Sequence, residues 1–191
     1  LSSNSFLHTI QRFIRNPGEI GAIAPSSSYL AKRMIAPINF NQSECIVELG
    51  AGTGPITDAL VAKKSSNSLL IALENEETAF HKLEKRYQGK EKVQILQADA
   101  SRLSSLLKEI WPQGADAVLS GLPFASLGSE KSDAIIKEVA QSLRPDGLFI
   151  AFQYTPFTYS WFAKHFRVEH MGFEVRNLPP AFVFHCTKKR P

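Results

Sequence analysis

A chain of 191 residues, 43% hydrophobic and 21% charged, fits one domain with a sizeable core and excludes a disordered or low-complexity protein. Its formal net charge of +4 is compatible with an anionic partner without demanding one. The two cysteines, Cys45 and Cys186, fall in apolar runs, which excludes a disulfide framework and fits a reducing cytoplasm.

Residues 5–16, wound as a helix, place Phe6, Leu7, Ile10, Phe13 and Ile14 within an arc of about 120°, with His8, Arg12 and Arg15 opposite. An aromatic-aliphatic stripe backed by basic residues is the pattern of a helix lying in a membrane interface. The same stripe suits a cap on the chain's own core, and the pattern leaves both open. Lys32 and Arg33, with Lys188, Lys189 and Arg190, would extend a basic surface or simply be solvated. No signal-peptide core is read at the N-terminus, and no apolar run approaches the ~20 residues of a membrane span. Residues 1–40 are therefore assigned to N-terminal amphipathic and cap helices, and 41–191 to the core of a single structural domain.

Beyond residue 44 short apolar runs alternate with helical patterns. Strands are expected at 45–49, 69–73, 93–97, 115–119 and 148–154, and helices at 56–64, 76–88, from an N-cap at Ser101 to 110, and near 131–143. The last of these helices stops at Arg144-Pro145-Asp146-Gly147. Five apolar strands separated by helices imply a parallel sheet covered on both faces. After a short helix ending at 161–165, two further strands, 167–175 and 181–187, flank Asn177-Leu178-Pro179-Pro180. So short a link makes them an antiparallel hairpin. The expected fold is a Rossmann-like α/β domain with a mostly parallel seven-stranded sheet.

Four segments at strand ends carry chemistry. Glu48-Leu49-Gly50-Ala51-Gly52-Thr53-Gly54 closes the first strand, and glycines in alternate positions let the backbone run against a ligand. Its spacing differs from the G-x-G-x-x-G of dinucleotide folds. Glu74, directly after the second strand, can accept both hydroxyls of a ribose. Asp99, in Gln97-Ala98-Asp99-Ala100 after the third, can accept from an adenine amino group, or cap the next helix. Ser120-Gly121-Leu122-Pro123-Phe124 follows the fourth strand, where amino-methylating enzymes often carry Asn-Pro-Pro-Tyr or Asn-Leu-Pro-Tyr to aim the target amine and stack an aromatic on a flat base; here Ser120 stands in place of Asn.

The chain resembles the bacterial phospholipid N-methyltransferases, which are class I S-adenosylmethionine-dependent enzymes related in fold to ribosomal RNA adenine dimethylases. The matching pieces are Gly21-Ala22-Ile23-Ala24-Pro25-Ser26-Ser27, the glycine loop, Ser120-Gly121-Leu122-Pro123-Phe124-Ala125, Phe152-Gln153-Tyr154 and Asn177-Leu178-Pro179-Pro180-Ala181. Ala51 departs from the proline usual in the family. The resemblance implies that Glu48, Gly50, Gly52 and Gly54 hold the methionine part of S-adenosylmethionine, with Glu74 on its ribose and Asp99 and Ala100 at its adenine. It further implies that Ser26 and Ser27 reach the cofactor carboxylate, that Ser120 adjoins the cofactor, and that Ser120, Leu122, Pro123, Phe124 and Tyr154 line the acceptor entrance.

The implied reaction is in-line displacement by a neutral amine of phosphatidylethanolamine, leaving S-adenosylhomocysteine. Positioning then contributes roughly 7–11 kcal/mol. A lipid ammonium must first lose its proton, and Tyr29, Gln153 and Tyr154 are the candidates for a base or a cation–π cradle. The five histidines show no ligand spacing, so no metal is expected. The expected location is cytoplasmic, at the inner face of the membrane. Two other readings share the pattern: an RNA adenine N6-methyltransferase, and a non-catalytic membrane-surface protein with a vestigial fold.

Overall fold

The computed structural model describes residues 26–189. The expected helix at 5–16 lies outside the described residues. The elements are α1 (Ser28–Ile35), β1 (Cys45–Leu49), α2 (Pro55–Lys63), β2 (Leu69–Glu74), α3 (Glu77–Tyr87), β3 (Val93–Gln97), α4 (Leu103–Ile110), β4 (Ala115–Ser120), α5 (Phe124–Leu127), α6 (Ser129–Ser142), β5 (Leu143–Gln153), α7 (Tyr159–His165), β6 (Phe166–Glu174) and β7 (Ala181–Lys188). Two 3₁₀ turns, Ala100–Arg102 and Pro156–Thr158, lead into α4 and α7.

The strands form one seven-stranded sheet in the order β3-β2-β1-β4-β5-β7-β6. Strands β1 to β5 pair in parallel, and β7 runs antiparallel to both β5 and β6. The fold is the one read from the sequence. CIVEL at β1 is buried at every position because it sits mid-sheet with helices on both faces, whereas β3, at an edge, is only half-buried. The order reverses at β1, with β2 on one side and β4 on the other, and ligands of open α/β sheets bind outside the strand tips at that switch.

Each face has its own core. On one, Leu30, Met34 and Ile35 of α1 and Ile56 and Leu60 of α2 cover Ile46, Leu70, Ala117, Leu119 and Ile150. On the other, Leu103, Leu107, Ile135, Ile136 and Val139 cover Val47, Ile71, Val118 and Phe149. There Phe149 meets Phe124, Phe162 and Phe166 with centroids 6.5, 5.4 and 5.1 Å away. Burying one such ring contributes roughly 1.5–3 kcal/mol.

The structure departs from the sequence reading in three places. The segment Arg144-Pro145-Asp146-Gly147, read as the helix stop, is an excursion inside β5, since Ala115 pairs with Leu143 but Ala117 already pairs with Leu148. The helix before it ends at Ser142. Ser101 is not the cap of α4; it lies within the 3₁₀ turn, and Asp99 caps that turn by accepting from the Ser101 N–H. A short helix, α5, follows Pro123, where the sequence showed no periodic signal. The β6–β7 connection carries a cis Leu178–Pro179 bond and is tied by Asn177, whose Nδ2 donates to Pro179 O at 2.7 Å.

Candidate active site

The carboxyl tips of β1, β2 and β4 are level, because Leu49 pairs with both Leu73 and Ser120. From β1 the chain turns at once: Gly50 has φ +69 and donates its N–H to Leu73 O at 2.9 Å. A Cβ on Gly50 would stand 2.7 Å from Leu122 Cδ2, so the absence of a side chain lets the acceptor loop close over the glycine loop. Gly54, at φ +90, is the N-cap of α2, with Pro55 supplying the first helical position.

Glu74 joins the second tip to the glycine loop. Its Oε2 accepts from Gly52 N–H at 2.7 Å and its Oε1 from Glu76 N–H at 2.9 Å. A carboxylate offers about four acceptor positions, so two remain for hydroxyl groups. Of the two roles considered for Asp99, the structure shows the cap, made to the 3₁₀ turn, and places the side chain on the crevice wall. Its Oδ1 accepts from Ser101 N–H at 2.9 Å, its Oδ2 from Lys131 Nζ at 2.9 Å, and these partners hold its carboxyl down to about 2. Asp99 is thus a fixed anion.

Between these tips lies a small crevice of about 110 Å³, partly open to solvent. Gly50, Glu74, Asp99, Ala100 and Leu122 all line it, so five of the residues singled out in the sequence meet there. Ala98, quoted beside Asp99 in the sequence, also lines it; Leu73, Asn75, Leu127, Lys131 and Ile135 complete the wall and were missed. Lys131 and Ile135 stand four apart on one face of α6, and that spacing was the one available signal.

Glu48 sits beneath the loop, almost fully buried. Its Oε2 accepts from Thr57 Oγ1–H at 2.7 Å, while Oε1 has no partner. Burial pushes its carboxyl up to about 8, against the opposing Thr57 bond, with Glu74 and Asp58 adding repulsion. A buried acid with an unpartnered oxygen leaves an acceptor beneath the loop for a hydrogen-bond donor of a ligand. Together with the space over Gly50 and the acceptors on Glu74 and Asp99, this set fits an amino-acid-linked nucleoside.

The acceptor segment differs more from expectation. Ser120 is completely buried, and its Oγ accepts from Leu122 N–H at 3.2 Å, so its hydroxyl organises the loop from within. Leu122 O accepts from Gln153 Nε2 at 2.8 Å. Pro123 is exposed, whereas Phe124 is fully buried, its ring edge-on to Phe149 and Phe162. The structure therefore places Phe124 in the core and not at the entrance: α5 begins at Phe124 and turns its ring inward. Tyr154 hydrogen-bonds Asn177, and burial raises its phenol above the ordinary range, so it keeps its proton. Tyr29 packs its ring against Arg176, 4.1 Å from guanidinium carbon to centroid, and is not part of the crevice. Ser27 caps α1 by accepting from Leu30 N–H and donates its own N–H to Asn177 Oδ1 at 2.8 Å; neither it nor Ser26 lines the crevice.

Cys45 and Cys186 are free and buried, both pushed up to about 12 by desolvation. Among the described residues no group of three or more His, Cys, Asp or Glu is placed to hold a metal ion, and no helix is long and apolar enough to cross a membrane.

Residues 46–147 match the family described as a methyltransferase domain. An ornithine lipid N-methyltransferase of Singulisphaera acidiphila is 31% identical over 182 residues, 95% of each chain. Among solved structures, the N-methyltransferase NodS of Bradyrhizobium japonicum WM9 in complex with S-adenosyl-L-homocysteine superposes with a TM-score of 0.68 at 9% identity, covering 97% of this chain and 99% of that one. TrmN of Thermus thermophilus also gives 0.68, at 15% identity over 93% of this chain; the present chain spans 53% of that protein's length.

Proposed function

We propose that this chain, which belongs to the class I S-adenosylmethionine-dependent methyltransferases and within them to the bacterial lipid N-methyltransferases, methylates the amine of a phosphatidylethanolamine-type lipid at the inner face of the membrane. When bound, S-adenosylmethionine supplies the electrophilic methyl group. Glu74 would accept from the ribose hydroxyls and Asp99 from the adenine amino group, both already fixed as acceptors by backbone N–H groups. Gly50, Gly52 and Gly54, above Glu48, would take the methionine part.

The acceptor end carries the choice of substrate. With Phe124 in the core and Ser120 turned inward, the loop offers neither a ring to stack on a flat base nor an amide to grip one. That observation supports a flexible aliphatic amine over a nucleobase. Leu122 makes this end apolar, which disfavours the ammonium form of an incoming amine and helps it lose its proton. Tyr154, kept protonated by burial, suits positioning better than base catalysis. Attachment to the membrane would fall to the amphipathic residues 5–16.

The relative from Singulisphaera acidiphila is named for an ornithine lipid, which favours a second reading with ornithine as the head group. The test offers methyl-labelled S-adenosylmethionine with vesicles of phosphatidylethanolamine, vesicles of ornithine lipid, and ribosomal RNA in parallel. Label in phosphatidylethanolamine is the expected result, and label in ornithine lipid alone selects the second reading. Label in RNA, or none in any lipid, refutes both.

A further inference from the structure

Large hydrophobic side chains left exposed singly over a surface carry little meaning, but a concentration of them does. Among the described residues every markedly exposed one lies at position 29 or between 157 and 178. Phe157 at 84% exposure, Leu178 at 69% and Val175 at 66% stand out, followed by Tyr159 at 47% and Phe173 at 46%. Phe157 stands in the 3₁₀ turn just after β5, Phe173 near the carboxyl end of β6, and Val175 and Leu178 in the connection to β7.

The topology brings these positions to the acceptor side of the sheet. Gln153 at the end of β5 pairs with Phe182, which in turn pairs with Phe173, their rings 4.7 Å apart. Phe173 therefore lies two strand spacings, roughly 10 Å, from Gln153, the residue that holds Leu122 of the acceptor loop. Asn177, within the connection, bonds Tyr154 on one side and Ser27 on the other. Cations border the rim. Arg176 stacks on Tyr29, Lys32 stands one helical turn from Tyr29 on α1, and Arg33 shares the buried Glu174 with Arg176. These are three cations against one carboxylate. Aromatic and aliphatic tips edged with excess positive charge suit an interface between acyl chains and anionic head groups.

We propose that the rim of Phe157, Phe173, Val175 and Leu178 is a surface by which this protein docks on an anionic lipid bilayer, placing the acceptor loop over the head groups. The proposal rests on the lipid substrate argued above, but on residues separate from the amphipathic segment at 5–16. It explains why apolar side chains stay uncovered beside the acceptor end, where a protein acting on a water-soluble substrate gains nothing from them.

The experiment uses the full chain. Both native cysteines are buried, so Leu178→Cys is labelled selectively with an environment-sensitive nitrobenzoxadiazole dye, and Asp146→Cys, at the opposite end of β5, serves as control. On adding vesicles of phosphatidylglycerol and phosphatidylethanolamine, the dye at 178 is expected to shift to the blue and brighten severalfold, and the dye at 146 to stay unchanged. The double variant Phe173→Ser/Leu178→Ser is expected to lose about tenfold in vesicle affinity. Its methyl transfer to a short-chain phosphatidylethanolamine dispersed as monomers should match the native rate. A dye at 178 that ignores vesicles to which the protein sediments overturns the proposal. So does a dye already blue-shifted in buffer, which would show that another part of the chain covers the rim. Failure to methylate vesicles and monomers alike refutes the lipid substrate, whereas the dye response reports docking alone.

Discussion

Glu48 makes folding depend on pH in a direction opposite to that of most carboxylates. Its carboxyl rises from an ordinary 4.5 to about 8 on burial, so the native chain holds this proton over an interval in which the unfolded chain has released it. Stability from this group is complete below pH 4.5 and is lost as pH rises through the interval up to 8. Each pH unit inside that interval removes at most roughly 1.4 kcal/mol, so from about pH 5 to about pH 7 the loss approaches ~3 kcal/mol. Glu48→Gln keeps an acceptor for the Thr57 hydroxyl and cannot ionise, so it lacks the loss. His185, lowered by burial, titrates in an overlapping range with the opposite sign, but it is common to both proteins and cancels in their difference. Urea unfolding of both proteins at half-unit steps gives that difference directly. The variant should gain on the native chain by roughly 1.4 kcal/mol per pH unit at most. A difference that stays flat with pH would show that Glu48 titrates normally and that its burial has been misjudged.

Gly50→Ala puts a Cβ 2.7 Å from Leu122 Cδ2 at a left-handed φ, so it should cost about 1–2 kcal/mol in thermal unfolding and lower S-adenosylhomocysteine affinity in calorimetry by tenfold or more. Glu74→Ala removes a charged acceptor worth roughly 1.5–3 kcal/mol, and calorimetry should show S-adenosylhomocysteine binding weakened by about 10- to 100-fold. Gln153→Leu frees Leu122 O without touching the crevice wall; steady-state kinetics should show kcat falling by about tenfold with cofactor affinity unchanged.

The fold was legible because its signals are periodic. Each strand run is short and almost continuously apolar, CIVEL carrying only Glu48 as an exception, and the alternation with helices admits one sheet type. The crevice-lining tips were legible for a related reason: residues at or just past the end of a strand in this topology reach the crevice edge, and Glu74 and Asp99 both line it. The acceptor segment was not legible to the same depth. Ser120 and Phe124 flank a turn, and no periodicity tells which way a side chain points there. Tertiary packing decided it, drawing Phe124 into the cluster around Phe149 and leaving the Ser120 hydroxyl to the Leu122 N–H. Lys131 escaped notice because its partner, Asp99, is 32 residues away, and only the fold joins them. The excursion at 144–147 reads as a helix stop locally and becomes a bulge only because Leu143 still finds Ala115.

The central claim is that the tips of β1, β2 and β3 grip an adenosyl cofactor. A crystal structure of the protein with S-adenosylhomocysteine tests it most directly. The ligand should lie over Gly50, with its ribose hydroxyls on the Glu74 carboxylate and its adenine between Asp99 and Leu127. Adenosyl density elsewhere on the molecule, or an empty crevice at saturating ligand, would contradict the claim.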